Sequence, residues 1–201
     1  MLKLLVSFVA GYLIGSVDWA IVIGKVFYHK DVRQYGSGNP GATNAGRVLG
    51  KEAFYIVSAL DALKGLIVYM ILNHFSNDMA LVGALGVVIG HCYPLYFHFK
   101  GGKGVATTAG VILAIAINGG WKYFILQLGI PFILFVIILK TTQYMSLASM
   151  SAALCAAIMA LIFAPDAMTK IVLCILTAMI IYAHRSNIQR LRNGTENKTR
   201  L

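Results

Sequence analysis

The sequence predicts an all-α fold: a polytopic membrane helix bundle of seven transmembrane helices, with the N-terminus outside and the C-terminus cytoplasmic. Three observations carry that prediction. Apolar stretches recur along the chain at roughly 17–23 residues, the length that crosses a hydrocarbon core of about 30 Å. Only 12% of the 201 residues are charged while 59% are hydrophobic, against about 25% charged in soluble globular chains. Lysine and arginine gather in alternate connections, the pattern that orients membrane helices.

The first span covers about 2–24. Lys3 and the apolar run after it resemble a secretory signal, but the run continues to about Ile23 without a good small-residue cleavage site, so it is kept as a span. Asp18 is costly there unless it faces the bundle or its cytoplasmic mouth, and the sequence names no partner for it. The second span, 53–72, holds Asp61 and Lys64 at a three-residue spacing that lets them pair, and both are assigned a structural role. His91 and Pro94 lie late in the third, 79–98, where the proline is expected to kink the helix end. The fourth, 104–119, is short and close to the third, so five or six spans stay open as alternatives. The fifth, sixth and seventh cover 122–140, 146–164 and 168–185. Ser146 opens the sixth, as a helix cap or a ligand contact. No second domain, repeat or low-complexity tract interrupts 1–201, which is taken as a single domain.

Charge sets the orientation. Thirteen of the 17 basic residues fall in one set of connections: Lys25, Lys30, Arg33, Arg47, Lys51, Lys100, Lys103, Lys140, and Arg185, Arg190, Arg192, Lys198 and Arg200 of the tail. Lys3, Lys122 and Lys170 are alone on the other side, and Lys64 lies within a span. The positive-inside rule then places the tail in the cytoplasm and needs an odd number of spans. This distribution accounts for the surplus of 17 basic over 7 acidic residues without a nucleic-acid partner. Cys92, Cys155 and Cys174 are odd in number and lack metal-ligand spacing, so they read as buried thiols; no metal and no cofactor is expected.

The polar chemistry lies on that same face, in 25–52, 99–104, 140–146 and the tail, while the opposite connections 73–78, 118–121 and 164–169 are short and poor in functional groups. A carrier would be expected to place polar groups near the midplane with access from both sides. One-sided chemistry favours an interfacial enzyme.

Three motifs carry it. The first is Gly36-Ser37-Gly38-Asn39-Pro40-Gly41-Ala42-Thr43-Asn44-Ala45-Gly46-Arg47. Its glycines let another group approach the backbone donors, Ser37, Asn39, Thr43 and Asn44 add short polar side chains, and Arg47 adds a planar cation suited to phosphate. The second is His98-Phe99-Lys100-Gly101-Gly102-Lys103-Gly104-Val105-Ala106-Thr107-Thr108, a glycine turn opening a helix, where amides and the helix dipole favour an anion. Gly104 follows Lys103 where a nucleotide-binding loop needs Ser or Thr, which argues against nucleotide hydrolysis. The third is His184-Arg185-Ser186-Asn187-Ile188-Gln189-Arg190-Leu191, with His184 and Asn187 sharing a face if the helix continues. His184 is a candidate proton-transfer group or phosphate donor. Gly194-Thr195-Glu196 follows, and Glu196 is assigned a structural role, paired with a cation such as an arginine.

Along its whole length the chain resembles the bacterial acyl-phosphate:glycerol-3-phosphate acyltransferases, most specifically in Gly36 to Asn44, then Lys100 to Thr107, then His184 to Leu191 with Gly194-Thr195-Glu196. The resemblance implies acyl transfer from acyl phosphate to the sn-1 hydroxyl of glycerol 3-phosphate, seven spans, a cytoplasmic-face site, and no acyl-CoA or acyl-carrier-protein donor. It implies essential serine and arginine positions at Ser37 and Arg47, and His and Asn at His184 and Asn187. Gly101, Gly102, Lys103 and Gly104 would hold the phosphate of glycerol 3-phosphate. Gly36, Gly38, Asn39, Thr43, Asn44, Lys100, Thr107 and Ser146 complete the substrate-binding set. Asp18, in place of proline or a small residue, and Gln143, where a basic residue is frequent, depart from the pattern outside the three motifs.

Acyl phosphate is a mixed anhydride with a good leaving group, so positioning and charge neutralisation suffice. No Ser-His-Asp set and no His-x4-Asp motif is present. Direct attack by the glycerol hydroxyl is therefore expected, with His184 or the substrate's own phosphate as base. The partners are the two substrates and membrane lipids, with no obligate protein partner. A transporter of phosphate esters or other anions is the alternative, and a non-enzymatic assembly factor leaves the loops unexplained.

Overall fold

A computed structural model describes residues 1–199; Arg200, counted with the basic tail, lies outside the described residues. The chain divides into two compact units, Met1–Ala114 and Ile115 onward, both helical.

The first unit begins with α1 (Leu2–Gly15) and α2 (Trp19–Tyr28), which together form a 27-residue apolar run broken at 16–18. Asp18 explains the break. It is fully buried, and its Oδ1 accepts the Ile21 N–H at 3.1 Å as the N-cap of α2. The side chain that looks costly in a span satisfies one of the donors a helix start leaves unpaired.

The stretch 25–52, expected as a loop, carries more helix than that. α2 runs on to Tyr28, a 3-10 turn covers Val32–Gln34, and α3 (Ala42–Leu49) follows the first motif. The reason is apolar: Val32 and Ala45 enter a small core with Ala20, Ile21, Ile23, Ala53 and Val57. α4 (Lys51–Asn73) and α5 (Asn77–Cys92) are long membrane-type helices, and a 3-10 turn at Leu95–Phe97 extends the latter.

Glycines set the packing of this unit. A Cβ on Gly15 would meet the Val87 backbone, with Val87 Cα at 2.8 Å, and one on Gly90 would meet the Tyr12 carbonyl and the Ser16 nitrogen at 2.9 Å. Gly11 and Gly86 lie as close to the Gly83 and Phe8 carbonyls. α1 and α5 thus touch backbone to backbone, which in lipid replaces the hydrophobic drive that water would supply. Gly65 on α4 and Gly110 on α6 (Val105–Gly119) make the same close approach to the Thr107 and Ala62 carbonyls.

In the second unit, Trp121–Thr142 is a 22-residue run made of α7 (Trp121–Tyr123), a π-helical stretch Phe124–Gly129 and α8 (Ile130–Thr142). Pro131 near the start of α8 lacks an N–H, consistent with the shifted ladder before it. α9 (Met145–Phe163) buries Ala148, Ala153, Ala156, Ala157 and Ala160. α10 (Ala167–Ala183) is capped by Asp166 and donates from Thr177 Oγ1 to the Ala153 carbonyl at 3.0 Å. α11 (Arg185–Arg192) then turns away by 55°.

Among the described residues, five runs are long and apolar enough to cross a membrane: Leu2–Tyr28, Lys51–Asn73, Asn77–Phe97, Trp121–Thr142 and Met145–Phe163. Counted as one span, the bent pair α10 and α11 brings the number to six. The further helix that the seven-span count needs is α6, whose 15 residues rise about 22 Å, short of a core of about 30 Å.

Candidate active site

The first motif is a loop wound around one side chain. Gly36 and Gly38 stand at φ of +62° and +71°, left-handed values that a Cβ disfavours. Between them, the Ser37 N–H donates to Asn44 Oδ1 at 2.8 Å, and Asn44 Nδ2 donates to the carbonyls of Val32 at 2.8 Å and Tyr35 at 3.0 Å. Asn44 is 1% exposed, so its amide is committed to shaping the loop. Ser37 and Arg47 are exposed, and Asn39 and Thr43 are half-buried.

The second motif folds back onto the end of α5. The backbone turns through left-handed His98 and Phe99, and the N–H groups of Gly101 and Gly102 donate to the Cys92 and His91 carbonyls at 3.2 and 3.1 Å. Both amides are engaged in closing the turn. The two glycines are there for space. A Cβ on Gly101 would meet the Cys92 carbonyl at 2.8 Å, and one on Gly102 would meet the His91 ring and the Pro40 carbonyl. Pro40 belongs to the first motif, so the two motifs touch. Lys103 and Gly104 follow, Gly104 at φ +78°, and α6 starts at once. Amides at a helix start lack partners within the helix and favour an anion. Lys103 is half-buried, and Thr107 on the first turn is fully buried.

An open cleft of about 610 Å³ lies in this unit, lined by Gly38, Asn39 and Pro40 of the first motif, His98, Lys100 and Gly101 of the second, and Asp31, Arg33 and Gln34. Arg33 donates through Nε and Nη2 to the two Asp31 oxygens at 3.0 and 2.7 Å, and through Nη1 to the Phe97 carbonyl at 3.3 Å. The Arg33 hydrogen bonds hold the Asp31 carboxyl down at about 2. This tie between 31–33 and the turn before the glycines was not singled out by the sequence reading. Its only signal is an Asp-x-Arg spacing.

Deeper in the unit, Asp61 and Lys64 meet at 2.8 Å, both nearly fully buried. Lys64 Nζ also donates to the carbonyls of Val17 at 2.8 Å and Gly15 at 3.2 Å, and lies 2.9 Å from His91 Nδ1. The carbonyls freed by the α1–α2 break are thus satisfied by an ammonium from α4.

The third motif lies in the second unit. His184 is 3% exposed, and its Nδ1 donates to the Ile180 carbonyl at 2.8 Å. A carbonyl only accepts, so the neutral ring carries its basic lone pair on Nε2. The helix does not continue straight through His184 and Asn187. His184 crowds the Ile180 carbonyl with both ring and backbone donors, and the axis bends there. Glu196 collects the rest: Oε1 accepts from Ser146 Oγ at 2.7 Å and Asn187 Nδ2 at 2.6 Å, and Oε2 from Arg190 Nε at 2.7 Å.

Burial pushes the Glu196 carboxyl up, but the Ser146, Asn187 and Arg190 hydrogen bonds outweigh it and hold the group below its ordinary 4.5. A carboxylate held low in the folded state adds stability above its unfolded value and loses it as pH falls through the folded one. The Glu196 and Asp31 ties are therefore at full strength above about pH 4.5 and weaken below it. Thermal midpoints from pH 7 to pH 3 are expected to fall below that point, and less steeply in Glu196→Gln.

The model of the family described as glycerol-3-phosphate acyltransferase matches residues 5–194. The chain is 40% identical over 198 residues to the glycerol-3-phosphate acyltransferase of Lactiplantibacillus plantarum, covering 97% of this chain and 91% of that one. It is 42% identical over 191 residues to that of Bacillus cytotoxicus, covering 94% and 92%. The crystal structure of PlsY (YgiH), an integral membrane glycerol 3-phosphate acyltransferase, in its glycerol 3-phosphate form, matches with a TM-score of 0.89 at 36% identity, over 98% of this chain and 96% of that one. Its lysphosphatidic acid form gives 0.86 at 35%, over 98% and 95%. The fold is therefore the all-helical integral membrane fold of PlsY, and the chain belongs to the glycerol-3-phosphate acyltransferase family.

Proposed function

We propose that this protein transfers a fatty acyl group from acyl phosphate to the sn-1 hydroxyl of glycerol 3-phosphate, giving 1-acyl-glycerol 3-phosphate and inorganic phosphate, the first acylation of bacterial phospholipid synthesis. The observation that carries this is the whole-chain likeness to PlsY in its glycerol 3-phosphate form, at 36% identity and a TM-score of 0.89.

The hydroxyl oxygen attacks the acyl carbonyl carbon, the bond from that carbon to the phosphate oxygen breaks, and phosphate leaves with the electron pair. The hydroxyl proton goes to His184 Nε2 or to the substrate's own phosphate. Arg47 and Lys103 neutralise phosphates, with Lys100, Gly101, Gly102, Gly104 and Thr107 at the same turn. Ser37, Asn39 and Thr43 present hydrogen-bonding groups beside them, and Gly36, Gly38 and Asn44 shape the loop that does so. Ser146 and Asn187, held by Glu196, orient substrate polar groups. Residues 1–201 act as one acyltransferase domain in the bacterial inner (plasma) membrane, working at the cytoplasmic face. α6 and the bent α10 complete seven spans with the N-terminus outside, as thirteen against three basic residues support.

The test supplies purified protein in lipid with labelled glycerol 3-phosphate and one donor at a time. Labelled 1-acyl-glycerol 3-phosphate is expected with acyl phosphate, unaffected by chelator, and not with acyl-CoA or acyl-carrier-protein thioesters. Isolation of an acylated protein after donor alone would overturn direct attack.

A further inference from the structure

We propose that His91 is a positioning residue for the glycine turn at 100–104: clamped from within the unit by Lys64, it sets where that turn, and with it Lys103, stands. The proposal rests on the reading above that Lys103 binds the phosphate of glycerol 3-phosphate. It assigns work to a buried group that the reaction does not otherwise use.

His91 faces two ways. On one side, Nδ1 lies 2.9 Å from Lys64 Nζ and 3.5 Å from Asp61 Oδ1. An ammonium only donates, so Nδ1 accepts and the neutral ring carries its proton on Nε2. On the other side that Nε2 edge lies against Gly102, where an added Cβ would meet Nε2, and Cε1 at 2.9 Å. The backbone makes the same link, because the His91 carbonyl accepts the Gly102 N–H at 3.1 Å. The turn therefore rests on both the ring and the main chain of one residue.

The ring in turn has little freedom. It is 3% exposed, and Lys64 is fixed by Asp61 on α4 and by the Gly15 and Val17 carbonyls at the α1–α2 break. Four acceptors compete for three ammonium hydrogens, so the nitrogen sits among all of them and cannot follow one alone. The cluster ties α1, the α1–α2 break and α4 to the end of α5, and His91 passes that position to Gly102, next to Lys103. Misplacing a phosphate-binding group by about 1 Å can cost about a hundredfold in rate. In metal sites, buried groups that orient a ligating residue commonly matter by about tenfold or more, and the same geometric reasoning sets the scale here.

His91→Asn separates this role from bulk stability. The asparagine amide oxygen can stand in for Nδ1 beside Lys64, while the ring edge under Gly102 is lost. The expected result is a thermal midpoint close to the parent's and a KM for glycerol 3-phosphate raised about tenfold or more, with the KM for acyl phosphate little changed. In a Lys103→Ala background the same change is expected to cost much less, since the ammonium it would misplace is absent. A KM equal to the parent's in folded His91→Asn overturns the proposal. So does a loss shared equally by both substrates and by the midpoint, or one that is undiminished without Lys103. Should His91→Asn fail to fold, Gly102→Ala presses the turn and the His91 ring apart from the opposite side while every polar side chain of the Lys64 cluster stays present; it is expected to show the same selective KM change, and a parental KM there overturns the proposal equally. If the parent protein shows no acyl transfer at all, the functional reading fails first.

Discussion

Lys64→Met is expected to cost about 3–5 kcal/mol, the penalty for removing one partner of a buried ion pair, and to leave little folded protein in detergent. The change deletes more than one contact. It strands the Asp61 carboxylate, which is 1% exposed, and removes the donor to the Gly15 and Val17 carbonyls. Each buried acceptor left unpaired adds about 1–3 kcal/mol. Methionine fills nearly the same volume, so the loss is electrostatic rather than a cavity. The double variant Asp61→Asn/Lys64→Met removes both charges and is expected to recover a substantial part of the loss, because a buried pair replaced as a pair is often near neutral. Thermal unfolding of both variants in detergent, followed by size-exclusion homogeneity, separates the cases. A single variant as stable as the parent would show that Lys64 does not hold the α1–α2 break.

Lys103→Ala is expected to lower kcat/KM for glycerol 3-phosphate by about a hundred- to a thousandfold, the range seen when one preorganised charge-stabilising donor is removed. Lys103 is half-buried at a turn that Gly101 and Gly102 close through their own amides. The melting midpoint should therefore stay within a few degrees of the parent's while steady-state kinetics collapse. A loss of under about fivefold would move the phosphate to other groups, Arg47 first among them.

The membrane helices were legible because a span is a property of composition over a long window. The expected spans and the observed helices differ at most boundaries by one to three residues, as at 122–140 against Trp121–Thr142. The departures arise where a single side chain decides the backbone. Asp18 reads as an unwanted charge in a continuous span until the chain is seen to break there and use it as a cap. His184 reads as one step on a straight helix until its ring takes the Ile180 carbonyl and the axis bends.

α3 was missed because its eight residues come straight after a glycine-rich turn, and its buried face is made by Asn44 and Ala45, which carry a weak apolar signal. In the three motifs the glycine and polar residue types are plain in the sequence, and which of them shape the backbone is not. Asn44 and Ser37 sit seven apart in one polar stretch, yet the first is buried and shapes the loop while the second is exposed. Likewise Gly101 and Gly102 suggest free amides by composition, and only the fold shows them paired to the end of α5. His91 was visible as a histidine near the second motif, but its contact with Lys64 joins residues 27 apart in sequence, which no spacing rule connects.

The most direct test of the central claim is release of inorganic phosphate by purified protein in lipid, given acyl phosphate with and without glycerol 3-phosphate. The account predicts release that requires both substrates, in one-to-one ratio with 1-acyl-glycerol 3-phosphate. Release from acyl phosphate alone, or none from well-folded protein that instead moves glycerol 3-phosphate into sealed vesicles, would contradict it.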